Sequence, residues 1–245
     1  MKLSACLCLQ LGIRNEELGI KKFFLTANSF QLTAVLAIVR KDFLIGLRRR
    51  ATFAAMMMFA LTAVASLSLS TGGASVEPKF LAALLWVVIF FAAGAGVAGT
   101  FDDEAQAGTL PTLKLYADAQ AILFGKMIYV FLSLVALTIF ILPIFLILFD
   151  VAVENFLLLL ATIFFGLIGI AAAGTLTAVL TTSAAVKGGL FPILLFPITL
   201  PIFLPAISLT EISLAGGAFD TESLVVVAVF DLILITASSI LYDYL

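Results

Sequence analysis

The chain has 245 residues, of which 63% are hydrophobic and 11% are charged, and its mean hydropathy is +1.25. A soluble domain of this length could not bury so much apolar surface, so the composition predicts an all-α polytopic membrane protein and no nucleic-acid partner. The sequence contains no histidine, which excludes histidine-based catalysis and histidine-ligated zinc or haem within this subunit. The two cysteines, Cys6 and Cys8, match neither the spacing of a zinc site nor that of a haem-attachment sequence.

The first 30 residues carry an apolar patch, Leu3–Ile13, that is too short to span a bilayer. Lys2 is the only charge ahead of the patch and no clear cleavage site follows it, which disfavours a signal peptide. We expect residues 1–30 to form a disordered N-terminal extension, with a mis-assigned start codon as the alternative. Residues 31–245 are expected to form one transmembrane domain of six helices.

Residues 31–50 show the periodicity of a helix, because apolar residues recur three or four positions apart and charged residues fall mostly on other sides. The apolar set consists of Leu32, Val35, Leu36, Val39, Phe43 and Leu47. The charged set consists of Arg40, Lys41, Asp42, Arg48 and Arg49. This pattern predicts an amphipathic interfacial helix whose basic residues lie among the anionic headgroups of the lipid bilayer.

Six apolar stretches follow, each long enough to cross a hydrocarbon core of ~30 Å as a helix. They are Ala51–Ser70, Phe80–Thr100, Lys126–Phe149, Asn155–Leu180, Gly188–Leu209 and Ser223–Leu241. Every Lys and Arg except Lys79 falls on the same side of the membrane as the N-terminus in this arrangement. The asymmetry predicts that both termini are cytoplasmic.

The fifth span carries four prolines, Pro192, Pro197, Pro201 and Pro205. Each proline lacks an N–H group and so deprives the carbonyl four residues earlier of its regular helical partner. A span of this kind is tolerated in hydrocarbon only where protein or water satisfies the freed carbonyls. We therefore expect a distorted helix that is packed inside the bundle, near a pathway or a moving part.

Asp231 is the one acid deep inside a predicted span, the sixth. An acid at the centre of a bilayer costs ~2.5–3.5 kcal/mol on insertion scales, so such residues usually have a function. Asp231 could contact a substrate or bind a proton. The alternative is a structural role, in which protonated Asp231 donates a hydrogen bond to a hydroxyl or to a carbonyl freed by the prolines. The lack of a basic partner in the spans favours the structural alternative.

The long connection between the second and third spans, Phe101–Gly125, is expected to be cytoplasmic. It opens with three consecutive acids, which are Asp102, Asp103 and Glu104. Farther along, three residues spaced three apart would lie together on a short helix: Leu110, Leu113 and Tyr116. Such a helix would present them to a partner, whereas the alternative is a solvated loop whose leucines rest on the membrane.

Two apparent nucleotide-binding motifs fail their structural requirements. The letters G-x-G-x-x-G occur at Gly94, Gly96 and Gly99, but inside a span rather than between a strand and a helix. Small residues in spans let helices approach closely, as we expect for Ala92, Gly96, Gly99, Gly166, Gly169 and Ala173. Around Lys126 the sequence lacks the first glycine and the Ser or Thr of a P-loop, so the chain is predicted to have no ATP site of its own.

Four stretches of the sequence resemble the haem exporter protein B (CcmB) family, the membrane subunit of an ABC-type complex of cytochrome c maturation. They are VRKDFLIGLRRRATFAAMMMFAL at 39–61, FDDEAQAGTLPTLKL to FGK at 101–126, the P-x4-P-x3-P run at 192–201, and FDLILITASSILYDYL at 230–245. The likeness extends from residue 35 to the C-terminus. The proline run combined with the acid-bearing last helix is its most specific part.

The resemblance implies a six-helix permease of the ABC-2 type, like the type V exporters, in the bacterial cytoplasmic (inner) membrane. It implies a cytoplasmic CcmA-like ATPase that binds ATP, a CcmC-like membrane subunit that handles haem, and a haem chaperone. The chain itself is expected to bind no cofactor or metal directly. Two copies are expected per complex, because two ATPase subunits normally drive two permease halves.

By the same resemblance, the ATPase docks on the long cytoplasmic connection. The residues expected to couple the two subunits are Asp102, Asp103, Glu104, Gly108, Thr109, Leu110 and Leu113. Pro111 departs from the polar residue that is usual at its position. The absence of histidine favours ATP-driven release of a haem-loaded chaperone over direct haem export, since the haem ligands would then belong to the partners.

Two other functions remain open at this point. One is an ABC-2 permease for another cargo, such as a lipid-linked glycan or a drug. The other is a membrane assembly scaffold that transports nothing. An intramembrane enzyme is disfavoured, because beside Asp231 the spans offer only hydroxyl groups for catalysis.

Overall fold

The computed structural model of the chain describes residues 33–46, 48, 50–72, 76–97, 118–183, 190–217 and 220–243. These residues form α-helices joined by short connections, and no strand occurs among them. Six of the helices are long and apolar enough to cross a membrane. The prediction of an all-α polytopic membrane protein with six spans is confirmed.

The first helix, α1, spans residues 33–46. The six membrane helices follow as α2 (Arg50–Thr71), α3 (Pro78–Val97), α4 (Ala119–Leu148), α5 (Phe156–Ser183), α6 (Leu190–Ala215) and α7 (Thr221–Asp243). Each one coincides with a predicted span. The largest difference lies at the start of α4, which begins at Ala119 rather than at Lys126. The last part of the predicted connection, residues 119–125, is therefore helical.

The central helix of the bundle is α5, which packs against α3, α4, α6 and α7. By contrast, α2 packs against α3 and α4 and is largely exposed, and α7 is buried only along a narrow strip. Many large apolar side chains are exposed, for example Leu69, Ile147 and Leu157. This distribution suits a protein whose outer surface faces lipid, because lipid tails are as apolar as these side chains.

Small residues bring the helices together as predicted. Gly96 lies against the Met56 thioether and Gly166 against the ring of Trp86, so that a Cβ at either position would overlap those side chains. Trp86 is fully buried and donates a hydrogen bond from Nε1 to Oγ1 of Thr210 at 3.0 Å. Trp86, Gly166 and Thr210 thereby join α3, α5 and α6 in the centre of the bundle.

The G-x-G-x-x-G letters are part of a membrane helix and not of a nucleotide-binding turn. Gly94 and Gly96 lie within α3, and the described residues before them contain no strand. Gly99 lies outside the described residues. Close packing against Met56 explains why residue 96 is a glycine, whereas a Cβ built on Gly94 would have no neighbouring atom within 4 Å.

Polar residues order the connections at the end of the bundle that is predicted to face away from the cytoplasm. The backbone N–H of Asn155 donates to the Ser213 carbonyl at 3.0 Å, which links the start of α5 to the end of α6. Asp220 caps α7, because its Oδ1 accepts from the backbone N–H groups of Glu222 and Ser223. The Ser223 hydroxyl, which donates to the other oxygen, is the main cause that lowers the pKa of Asp220 below 3.8.

Candidate functional site

The residues predicted to couple the chain to an ATPase lie between α3 and α4. Residues 98–117 are outside the described residues, and they include Asp102, Asp103, Glu104, Gly108, Thr109, Leu110 and Leu113. Their coupling role stays a prediction. The structure does describe the two helices that flank them, together with the other two predicted features, the proline helix and Asp231.

The proline helix, α6, is helical throughout its length. Pro197, Pro201 and Pro205 lie inside it, whereas Pro192 lies in its first turn. The first-turn N–H groups of a helix have no acceptor within the helix, so a proline in the first turn removes no bond within α6 itself. Gly188 lies outside the described residues, so the expected loss of a partner for its carbonyl stays a prediction. The three interior prolines are the ones that weaken the described helix.

The three interior prolines recur every four residues and so lie along one side of α6. Pro197 is exposed, and Pro201 and Pro205 are half-buried. The buried side of the helix carries residues such as Thr199 and Ile202, which face the bundle. The proline helix packs against α3, α5 and α7, as expected for a span inside the bundle, but Pro197 itself faces outwards and Pro201 and Pro205 are only partly covered.

The hydroxyl groups of α6 do not replace the N–H groups that the prolines lack. The hydroxyls of Thr199 and Thr210 donate to carbonyls of their own helix, at 3.0 Å and 2.8 Å respectively. The carbonyls that lose their regular donors are those of Ile193, Pro197 and Pro201. The hydroxyls do not donate to any of these three. Lipid offers no hydrogen-bond donor, so these carbonyls would need a donor from a partner protein or from water.

Asp231 lies where α5, α6 and α7 meet. Its side chain is buried, with the residue only 4% exposed. A Cβ built on Gly169 of α5 would overlap both Oδ1 of Asp231 and Cδ1 of Ile202 on α6. Because Ile202 follows Pro201 directly, the acid faces the bundle side of the proline helix at the level of the prolines.

Neither carboxylate oxygen of Asp231 has a hydrogen-bond partner in the part of the chain that the structure describes. The hydroxyls of Thr199 and Ser238 donate to carbonyls of their own helices instead. The hydrogen bond expected for a structural role of Asp231 is therefore not formed, and a buried acid without a partner is costly to keep.

A second buried charge, which the sequence pattern did not reveal, lies near the start of α4. Lys126 has a side chain that is only 1% exposed, and its Nζ is 3.8 Å from Oδ2 of Asp42 on α1. Oδ1 of Asp42 is 3.2 Å from Nζ of Lys41. The sequence pattern grouped Asp42 with the charged residues of the interfacial helix and began the third span at Lys126. It did not reveal that the packing of α1 on α4 buries the two residues together.

The two sides of α1 have different surroundings. Ile38 and Asp42, four residues apart, face the bundle and are buried. Leu36, Phe43 and Leu44 are exposed. The predicted apolar side of this helix is thus available to the bilayer, while the side that contains Asp42 contacts the protein. The four-residue spacing of Ile38 and Asp42 in the sequence places them on one side of the helix. The contact with α4 is needed to show that this side is buried.

Comparison with protein-family models gives one match, to the family described as CcmB protein, over residues 33–240. A search of curated proteins finds no significant match. Within the described ranges, no group of three or more Cys, Asp or Glu side chains could hold a metal ion. The family match covers most of the chain, including the proline helix and Asp231. The chain therefore belongs to the CcmB family, the membrane component of the haem exporter in cytochrome c maturation.

Proposed function

We propose that the chain is the permease subunit of an ABC complex, in which a separate CcmA-like ATPase drives haem export or the release of a haem-loaded chaperone. The observation that carries this proposal is the family match over residues 33–240, which includes α2 to α6, nearly all of α7 and the connection between α3 and α4. ATP would bind to the ATPase, since this sequence has no P-loop. Haem would be held by a CcmC-like membrane subunit and a chaperone, since this sequence has no histidine.

The packing of the helices offers a path from the proposed ATPase contact to the rest of the bundle. The connection between α3 and α4 is the predicted contact, so movement there would displace those two helices. Of these, α3 packs against α6, and α4 packs against α7, while both pack against α5. The two routes meet where α5, α6 and α7 come together, which is the location of Asp231.

The two unusual features of this region suit a part of the protein that rearranges. The interior prolines of α6 remove backbone hydrogen bonds, and helices bend most easily at such positions. Asp231 lacks a hydrogen-bond partner in the arrangement described by the structure. We propose that another arrangement of α5, α6 and α7 gives Asp231 a partner, so that the cost of its burial favours movement between the two arrangements.

Charge distribution and symmetry complete the proposal. All Lys and Arg except Lys79 lie on one side in the six-span arrangement, which supports cytoplasmic termini in the bacterial inner membrane. Two copies of the chain would pair with two ATPase subunits. The absence of histidine favours release of a haem-loaded chaperone, because this route does not require haem ligands from the permease.

Co-purification and a deletion strain test the proposal together. The tagged chain should be recovered in mild detergent with an ABC ATPase and a haem-handling membrane subunit. Deletion of its gene should abolish haem-stained c-type cytochromes, and the intact gene should restore them. Recovery with the ATPase alone, combined with normal cytochrome c assembly in the deletion strain, would instead indicate a permease for another cargo.

A further inference from the structure

The contact between α1 and α4 is closer than two helices with ordinary side chains allow. Gly125 on α4 lies against Ile38 on α1, such that a Cβ built on this glycine would be 2.9 Å from Cβ of Ile38. Farther along both helices, a Cβ built on Gly46 would be 2.5 Å from the phenolic oxygen of Tyr129. One glycine on each helix thus lets α1 lie directly on the first turns of α4.

The buried ion pair lies between these two contacts. Lys126 follows Gly125 in α4, and Asp42 is midway between Ile38 and Gly46 in α1. A buried ammonium group is strongly destabilising unless an anion compensates its charge. With the Lys126 side chain 1% exposed and Asp42 Oδ2 at 3.8 Å from its nitrogen, Asp42 supplies a compensating charge.

The neighbouring Lys41 shows that the buried pair depends on the placement of α1. Its Nζ is 3.2 Å from Asp42 Oδ1, and its side chain is 37% exposed. Because Lys41 and Asp42 are adjacent in one helix, they remain neighbours however that helix is oriented. The distance between Asp42 and Lys126, in contrast, changes as soon as α1 turns or slides on α4. Of these two ion pairs, the buried one is therefore the one that depends on the position of α1.

We propose that Asp42 and Lys126 are positioning residues, which fix α1 on the first turns of α4, and that cytochrome c maturation requires this placement. The placement of α1 on α4 depends neither on the ATPase nor on the cargo, whereas its importance for cytochrome c maturation rests on the proposed function. Disulfide formation tests the placement by itself, so a failure of the placement and a failure of the proposed function can be distinguished.

A cysteine pair, Ile38→Cys with Gly125→Cys, reports on the placement of α1. Replacing Ile38 by cysteine removes Cγ2, the atom nearest to a side chain built at position 125, whereas the Cβ at position 38 stays 2.9 Å from the built Cβ. The two Cβ atoms of a disulfide are usually ~3.8 Å apart, so the helices have to separate by about 1 Å when the bond forms. In a chain whose Cys6 and Cys8 are replaced by serine, mild oxidation of membranes should form the disulfide, measured as loss of labelling by a maleimide-coupled polymer.

Charge variants in this background test the ion pair. Lys126→Met and Asp42→Asn should each slow disulfide formation by about tenfold, because each removes the attraction between Asp42 on α1 and Lys126 on α4. Haem-stained c-type cytochrome per unit of membrane protein should fall in parallel. Lys126→Arg keeps the charge and should stay within about twofold of the parent in both readouts. Arg40→Gln, which removes an exposed cation of the same helix, is the matched control and should change neither.

If Lys126→Met does not accumulate in membranes, the variant Asp42→Asn with Lys126→Met should accumulate, because neither member of the buried pair then carries a charge. The proposal is overturned if this double variant also fails to accumulate, or if Lys126→Met forms the disulfide as fast as the parent. It is equally overturned if cytochrome c maturation falls while disulfide formation is unchanged, or if Lys126→Arg behaves like Lys126→Met.

Discussion

Asp231 on α7 and Gly169 on α5 are in such close contact that a Cβ on the glycine would overlap Oδ1 of the acid. The buried carboxylate therefore occupies space that exists only because residue 169 has no side chain. This contact joins the helix that carries the acid to the central helix of the bundle. It makes Gly169 and Asp231 a pair whose substitutions should not be independent.

Gly169→Ala should destabilise the bundle by about 1–3 kcal/mol, because the added methyl group forces Asp231 or Ile202 to move. Thermal unfolding of the purified protein in detergent measures this effect. Gly94→Ala is the matched control, since a Cβ there meets open space and should be neutral or slightly stabilising. Adding Asp231→Ala should relieve part of the cost of Gly169→Ala. Equal costs in the presence and absence of Asp231 would contradict the contact.

Asp231 itself is expected to matter for function and not for stability. Its carboxylate has no hydrogen-bond partner within the described ranges, so Asp231→Leu should leave stability unchanged or raise it by about 1–3 kcal/mol. The same variant, and Asp231→Asn, should lose cytochrome c maturation at normal membrane levels. Unfolding temperature and haem-stained cytochrome are measured on the same preparations. A variant that is destabilised but fully active would show that Asp231 is structural after all.

The interior prolines of α6 are expected to serve movement of that helix. Pro197→Ala with Pro201→Ala restores two N–H groups, which can bond to the carbonyls of Ile193 and Pro197, so insertion should be normal. The straighter helix should impair cytochrome c maturation. Pro192→Ala is the control, because a first-turn proline removes no hydrogen bond. Full activity of the double variant would refute a mechanical role for the prolines.

The cap of α7 predicts a dependence of stability on pH. Hydrogen bonds to the Asp220 carboxylate, above all from Ser223, lower its pKa in the folded protein below 3.8. Their contribution to stability is therefore fully present above pH 3.8 and is lost as the pH falls through the lower, folded pKa. Asp220→Ala should lower the unfolding temperature at pH 7, and the difference from the parent should shrink below pH 3.8. A difference that stays constant with pH would exclude this cap as its cause.

The fold of this chain was predictable because length and apolarity alone decide which helices can cross a bilayer. The start of α4 was not predictable in this way. Hydropathy placed the boundary at Lys126, whereas the helix begins at Ala119. A lysine would normally end a span, and only its burial against Asp42 makes it part of one. Contacts between distant segments of the chain create such environments, and no local pattern contains them.

For the proline helix, too, the sequence predicts the local effect of the residues but not how the helix packs. The number of prolines in α6 correctly indicated missing backbone hydrogen bonds, because proline has no N–H in any environment. Which side of the helix they occupy relative to the bundle depends on how α6 packs against α3 and α5. Likewise, the sequence singled out Asp231 by its depth in a span, while its missing partner is a property of the packed helices.

In the proposed function, this CcmB-family chain transmits the work of a separate ATPase, and Leu110 and Leu113 are the residues at which this coupling can be tested. ATP hydrolysis and cytochrome c maturation should be measured for the complex that contains Leu110→Ala with Leu113→Ala. Leu115→Ala, in the same connection but off their three-residue spacing, is the control. We expect the double variant to uncouple the two activities, with altered hydrolysis and lost maturation, while the control keeps both. Unchanged hydrolysis with normal maturation in the double variant would contradict the claim and favour a scaffold that transports nothing.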